Sequence, residues 1–167
     1  MLQIKLTDQQ LEHATLMGQQ RHRYDQSVGA GGAYNINEDD NDDPSLDIQG
    51  CIAEYAVSLA LGKEWVGFAT DFQNLKADVG SNIQVRSTYL PHGNLILHPK
   101  DKDEQVFILV RLHNLPSVEI VGWARGKDIK EPKYWREPVP TRPCYLYPHQ
   151  LLKEVPRRAN HLHGGHD

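Results

Sequence analysis

The chain has 167 residues, of which 39% are hydrophobic and 24% are charged, as is typical of a single globular domain with its own core. No apolar run approaches the roughly 20 residues that cross a bilayer, and the first ten residues lack the features of a signal peptide. We therefore expect a cytoplasmic protein with no membrane partner. Cys51 and Cys144 lie in apolar patterns, which favours two buried thiols.

The net charge of −4 comes from one acidic segment. Asn35–Asp47 contains six acidic residues and no basic one, so the rest of the chain has 18 basic residues against 16 acidic ones. The acidity is therefore local, and the folded body need not repel a phosphate backbone.

Two helices are predicted in the first part of the chain. The first covers Thr7–Tyr24, and the second runs from about Ile48 to Leu61, with Asp47 as its cap and Gly62 as its C-cap. The small apolar residues of the second helix recur at helical spacing, which lets it lie close to a sheet. Residues 25–47 lack periodicity, and they are predicted to form a mobile acidic loop.

A period of two follows the second helix and predicts strands. They are expected at Trp65–Ala69, Ala77–Val79, Ile83–Thr88, Leu95–His98, Gln105–Leu112, Glu119–Arg125 and Cys144–Tyr147. Residues 99–104 are predicted to be a charged hairpin turn, and Val106–Val110 a central strand buried on both faces. Pro148 begins a last helical turn through Leu152. Residues 1–155 then make one α/β or α+β domain, and 156–167 a disordered tail.

Glu54 and Asp78 are the first candidate site residues. Glu54 lies among apolar helix positions, where a carboxylate must be paired or bind a cation. Its alternative is an ordinary exposed or ion-paired glutamate. Asp78 precedes Gly80, so turn chemistry also explains it. Two polar residues on the next strand strengthen the interpretation that both acids belong to a functional site.

Gln84 and Arg86 are predicted to project from the same face of their strand, because side chains alternate along a strand and Val85 lies between them. Two long polar side chains then point the same way, a few residues beyond an acid. This arrangement is typical of a site that holds a phosphate.

Together these residues resemble the PD-(D/E)XK phosphodiesterase superfamily, the fold of many restriction enzymes, phage exonucleases and repair nucleases, and more closely its small phage and prophage members. The resemblance covers about Leu46 to Leu152. It implies a restriction-endonuclease-like α/β core, with a central mixed β-sheet flanked by helices, that acts on DNA as a metal-dependent nuclease. The implied cofactor is Mg²⁺ or Mn²⁺.

The resemblance implies a role for each residue of the motif. Glu54 matches the helical acid, Asp78 the first strand acid, Gln84 the second acid and Arg86 the lysine; the Val85 carbonyl would be a further metal ligand. Gln84 is neutral, which predicts weaker metal binding. Arg86 cannot act as a general base, but its planar fork can hold a phosphate oxygen.

The segment from Arg125 to Arg142 contains the candidate nucleic-acid-binding residues. Basic residues alternate there with aromatic ones, as on surfaces that follow a backbone and stack bases. The candidates are Lys127, Lys130, Lys133, Trp135 and Arg136. The alternative is a solvated connecting loop with Trp135 packed on the core.

Three functional hypotheses remain open from the sequence. The first is a metal-dependent nuclease, weakened by Gln84 and Arg86. The second is an inactive protein of the same fold that binds nucleic acid or a protein partner, since function resides in sites rather than folds. The third, with less support, is a decoy whose acidic segment imitates nucleic acid. A homodimer is left open.

Overall fold

The computed structural model describes residues 1–27, 43–65, 67 and 77–157. In these residues the helices are α1 (Asp8–Ser27), α2 (Ser45–Leu61) and α3 (Gly126–Ile129). The strands are β1 (Leu2–Lys5), β2 (Ile83–Thr88), β3 (Leu95–Leu97), β4 (Val106–Asn114), β5 (Ser117–Arg125), β6 (Trp135–Val139) and β7 (Arg142–Tyr147). Short 3-10 helices cover Pro132–Tyr134 and His149–Leu151.

Two sheets form the β part of the fold. Sheet A has the strand order β1-β5-β4-β2, and it is mixed because β2 runs parallel to β4 while the other pairs are antiparallel. Sheet B is antiparallel, with the order β3-β7-β6. The predicted α/β architecture is thus confirmed at the level of a mixed sheet accompanied by helices.

One face of sheet A packs against α1 and α2, and we call this layer the helix-side core. Its buried residues include Ile52, Ala53, Ala56, Val57, Val85, Ile108, Val110, Val118 and Ile120. The small side chains of α2 allow a close approach to the sheet, as predicted. A Cβ added at Gly18 of α1 would lie 2.4 Å from Ile48 Cα, so the two helices cross nearly backbone to backbone.

The other face of sheet A packs against sheet B and forms the inter-sheet core. Its buried residues are Leu95, Leu97, Phe107, Leu109, Ala124, Ile129 and Tyr147. Strand β4 contributes Phe107 and Leu109 to this layer, and Ile108 and Val110 to the helix-side core. The prediction of a central strand buried on both faces is confirmed.

The ends of the predicted acidic loop differ from the structure. Helix α1 continues to Ser27 and α2 begins at Ser45, so both ends of the predicted 25–47 loop are helical; residues 28–42 lie outside the described part. Asp47 is not a cap, because it lies in the first turn of α2. Its Oδ2 atom lies 3.0 Å from His22 Nδ1. Gly62 is the C-cap, as predicted, with a φ of 60° in the left-handed region.

Several predicted strands and turns need correction. Between Ala77 and Asn82 the chain turns, and only Val79 forms a bridge, with Ile83. Residues 99–104 form no hairpin, because β3 pairs with β7 while β4 pairs with β2 and β5. The turn after Pro148 is a 3-10 helix of three residues. The strand predicted at Trp65–Ala69 and the tail beyond Arg157 lie mostly outside the described residues.

The outer edge of β2 is closed by the turn that precedes it. The backbone N–H groups of Asp78 and Val79 both donate to the Ile83 carbonyl, at 2.9 and 3.2 Å. The Asp78 carboxylate then accepts from the Val85 N–H at 2.7 Å. Among the described residues β2 is an edge strand of sheet A, and these bonds satisfy backbone groups that a neighbouring strand would otherwise pair.

Candidate functional site at the edge of strand β2

Glu54 is 6% exposed and bound by three groups. Arg21 of α1 donates to both of its oxygens at 2.9 Å, and Trp65 Nε1 donates to Oε2 at 3.0 Å. Burial alone lowers the pKa of Arg21, but the hydrogen bonds and charge of Glu54 outweigh it and raise that pKa above its ordinary value. Glu54 is therefore a fully paired carboxylate in this structure, consistent with the ion-paired alternative.

Asp78 lies close enough to Glu54 for their charges to interact. Burial raises the pKa of Asp78 to about 6, the negative charge of Glu54 adds to this rise, and the Val85 N–H opposes it. Asp78 therefore bonds to the Val85 backbone at the outer edge of β2 and lies within electrostatic range of Glu54. Because the two carboxylates repel each other, a nearby cation stabilises them. The Arg21 guanidinium partly fulfils this role.

Gln84 and Arg86 lie on the opposite face of sheet A. In the parallel register, Gln84 pairs with Phe107 and Arg86 with Leu109 of the inter-sheet core, whereas Val85 belongs to the helix-side core. The predicted alternation is thus confirmed. Glu54 and Asp78 lie within electrostatic range of each other, whereas Gln84 and Arg86 project from the face of sheet A that is turned away from the helices.

Arg86 is held by Asp101, which precedes β4. Its Nη2 donates to Asp101 Oδ1 at 3.0 Å, and its Nη1 donates to the Val85 carbonyl at 3.3 Å. The guanidinium carbon lies 5.3 Å from the centre of the Phe107 ring, a cation–π distance. The Val85 carbonyl, predicted as a metal ligand, therefore accepts a long hydrogen bond from the Arg86 side chain.

The predicted metal donors fit a divalent cation only in part. No group of three or more His, Cys, Asp or Glu side chains within the described ranges is arranged to hold a metal ion. The predicted donor set has two carboxylates, an amide and a carbonyl, and both Glu54 oxygens already accept from Arg21. Binding would require Arg21 or its hydrogen bonds to shift. The metal roles of Glu54, Asp78, Gln84 and Val85 stay predictions.

The basic segment is divided between exposed and internally bonded residues. Lys127, Lys133, Trp135 and Arg136 are exposed. Trp135 stacks edge to face on Tyr145, with ring centres 4.9 Å apart. Lys130 instead pairs with Asp103 at 2.9 Å and donates to the backbone carbonyls of residues 99 and 101. The structure thus offers an exposed aromatic and basic surface on the β6 edge of sheet B, and Lys130 is tied into the fold beside it.

Two residues of the site were not singled out from the sequence. Arg21 lies 33 positions from Glu54, in a helix whose polar residues carry no pattern that distinguishes one arginine from another. Asp101 lies among alternating charges in residues 99–104, which look like an ordinary turn. The signal in both cases is tertiary, because each side chain gains its role from a partner distant in the chain.

Comparisons with family models, curated proteins and solved structures find no match to this chain. Among the described residues, no helix combines the length and apolarity that a membrane span requires.

Proposed function

We propose that the protein acts on nucleic acid as a metal-dependent phosphodiesterase, on a restriction-endonuclease-like core, with DNA as its substrate. The observation that carries the proposal is the hydrogen bond from the Val85 N–H to the Asp78 carboxylate at the outer edge of β2, within electrostatic range of Glu54. Because β2 is an edge strand of sheet A among the described residues, a phosphodiester bound there can be approached from both faces of the sheet. Residues on the two faces can then act on the same group.

Each residue would have a distinct part in this reaction. A bound divalent cation would supply an activated water and would stabilise charge on the phosphate. Glu54 and Asp78 would hold it from the helix side, the Val85 carbonyl from the strand edge, and the Gln84 amide from the opposite face of the sheet. Arg86 would stabilise the phosphate by its fork of N–H donors, since it cannot deprotonate near neutral pH.

A second candidate, binding without cleavage, is favoured by the Arg21–Glu54 ion pair. The two side chains are 16% and 8% exposed and form two parallel hydrogen bonds, a strong charge-assisted geometry. An arginine in this place neutralises Glu54 without any metal. The same fold would then present nucleic acid with the exposed Lys127, Lys133, Trp135 and Arg136.

The experiment that separates the two candidates is a divalent-metal titration by calorimetry, paired with a cleavage assay on single- and double-stranded DNA. The phosphodiesterase proposal expects Mg²⁺ or Mn²⁺ to bind wild type and to support cleavage. Asp78→Ala should abolish both, and it serves as the site control. Circular dichroism of Asp78→Ala checks that the loss is not unfolding.

Gln84→Glu is the matched gain-of-function variant, because it adds a negative ligand with little change in volume. It should tighten metal binding about tenfold or more if Gln84 reaches the ion. Arg86→Lys restores the family residue and is tested beside it. Unchanged metal affinity in Gln84→Glu, together with no cleavage in the double variant, would leave the binding function as the conclusion.

A further inference from the structure

An open cleft of about 680 Å³ lies between the end of β2, the segment 89–94 and sheet B. Its size falls within the roughly 300–1,000 Å³ typical of sites for small organic ligands. Its lining includes Arg86, Leu90, His92, Ile96, His98 and Leu146. Arg86 therefore connects this cleft with the edge of β2.

The walls of the cleft are apolar and partly exposed to solvent. Leu90 is 67% exposed and Ile96 is 40% exposed, and Leu146 lies directly opposite Ile96 in the register of β3 and β7. Clustered exposed apolar side chains in a concave site are typical of ligand contact. Among the described residues that line the cleft, none is acidic. The surface therefore suits an apolar, flat group attached to an anion.

Asp101, which lies outside the cleft lining, positions the polar residues Arg86 and His98 of its wall. One of its oxygens accepts from Arg86 at 3.0 Å, and the other accepts from the backbone N–H of His98 at 2.8 Å. The ion pair uses only part of the five-donor fork of Arg86. Burial lowers the pKa of His98, and the Arg86 and Lys100 charges add to the effect against the pull of Asp101. This shift favours the neutral imidazole, whose two ring nitrogens can donate and accept hydrogen bonds.

We propose that this cleft holds one unpaired nucleobase of a single strand, with the adjoining phosphate against Arg86. The inference rests on the proposed function insofar as nucleic acid is the ligand, and it adds the strand preference and the place of the base. A base presents a flat π-face to the apolar walls and hydrogen-bonding edges to His98, while its phosphate meets the arginine.

The same face of sheet B continues from the cleft to the exposed basic surface. Ile96 pairs with Leu146, and Arg136 pairs with Cys144. Because residues two apart on a strand share a face, Ile96, Leu146 and Arg136 lie on one side of sheet B. Strand geometry places the Ile96 and Arg136 backbones about 12 Å apart. A short single strand seated in the cleft can therefore reach Arg136 as well.

The first test uses the protein with thymidine monophosphate and follows backbone amide signals by NMR. We expect saturable shifts in residues 90–94 and at Ile96 and His98. Inorganic phosphate is the control, and it should leave the Ile96 signal unmoved because it has no base to place against the apolar wall. Shifts confined to β6 and β7, or identical effects of the two compounds, would overturn the cleft assignment.

The second test measures binding of a fluorescent oligothymidylate to Ile96→Glu and to Leu16→Glu. Both variants add one negative charge at an exposed aliphatic position, but Leu16 lies on α1, 50% exposed, on the other side of sheet A. Ile96→Glu should weaken binding about tenfold, because it removes an apolar contact with the base and sets a carboxylate near the phosphate, and Leu16→Glu less than about twofold.

The outcomes separate this inference from the proposed function. Equal oligonucleotide affinity for the two variants, with wild type binding normally, would overturn the cleft while leaving nucleic acid as the ligand. No binding of any oligonucleotide by wild type would overturn the proposed function and the cleft together.

Discussion

At the scale of single residues, Asp78 carries a charge that the folded state disfavours. Its pKa is about 6 in the fold, against 3.8 for an ordinary aspartate. The folded state therefore binds more protons than the unfolded chain between about pH 4 and pH 6, so this residue makes stability fall as the pH rises through that window. The penalty is fully present above pH 6 and reaches at most about 3 kcal/mol.

Asp78→Asn should remove this penalty, because the amide oxygen can still accept from the Val85 N–H. We expect the variant to exceed wild type in unfolding free energy at pH 7 and to match it near pH 4. Urea unfolding with a chelator at four pH values from 4 to 7 measures the difference. A difference that does not change with pH would show that the charge of Asp78 costs the fold nothing.

Arg21 and Glu54 form the second residue-scale prediction. Arg21→Met leaves the Glu54 carboxylate buried without its counter-charge and should cost about 3–5 kcal/mol of unfolding free energy. Arg21→Met combined with Glu54→Gln should cost less than the two single changes together, since no charge then remains buried. Arg23→Met removes an exposed arginine of the same helix and should change stability by less than about 0.5 kcal/mol. If the stability losses of the two single variants add in full in the double variant, Arg21 and Glu54 do not stabilise each other.

At the scale of elements, the crossing of α1 and α2 depends on a glycine. Gly18→Ala places a Cβ 2.4 Å from Ile48 Cα and 2.8 Å from its nitrogen, so one helix must move. We expect a loss of about 1–3 kcal/mol. Gly50→Ala is the control within α2, because its Cβ meets nothing closer than 3.8 Å, and it should gain about 0.5–1 kcal/mol from helix propensity. Urea unfolding of both variants measures these opposite changes in unfolding free energy. A more stable Gly18→Ala variant would show that α1 and α2 are farther apart than described.

The elements that sequence patterns predict are those whose pattern is local. Helix α2 has a stripe of small apolar residues and a terminal glycine, and β4 has a continuous apolar run, so both are predicted close to their true extent. Strand β1 has only four residues, too few to establish an alternation, and it forms by pairing with β5 more than 110 positions away. All five residues of β6 are exposed and Pro138 interrupts it, so its strand conformation comes from pairing with β7.

The candidate site shows the same contrast between local sequence patterns, which can be predicted, and tertiary contacts, which cannot. Glu54 at a helix seam and the alternation of Gln84 and Arg86 follow from local periodicity, and the structure bears out both placements. The partners Arg21 and Asp101 could not be predicted, because a bidentate ion pair is decided by which helices and turns meet. Whether the acids at the β2 edge bind a metal stays a prediction.

At the scale of the whole molecule, β4 contributes buried residues to both cores, and we expect the two cores to unfold as one cooperative unit. Phe107→Ala empties part of the inter-sheet core and should cost about 3–5 kcal/mol. Because β4 also lines the helix-side core, amide hydrogen exchange should accelerate in α2 and β7 together. Leu16→Ala, at an exposed site, should change neither. Faster exchange in β7 alone would show that the two layers unfold separately.

The closed edge of β2 also affects how copies of the protein meet in solution. An unpaired parallel edge strand presents a row of donors and acceptors that a second chain can extend into a continuous intermolecular sheet. Here Asp78 and Val79 occupy two groups of that row, the Ile83 carbonyl and the Val85 N–H, from within the chain. The acid at the proposed reaction centre thereby also guards against aggregation, so selection for solubility would act on Asp78 even in a protein that cleaves nothing.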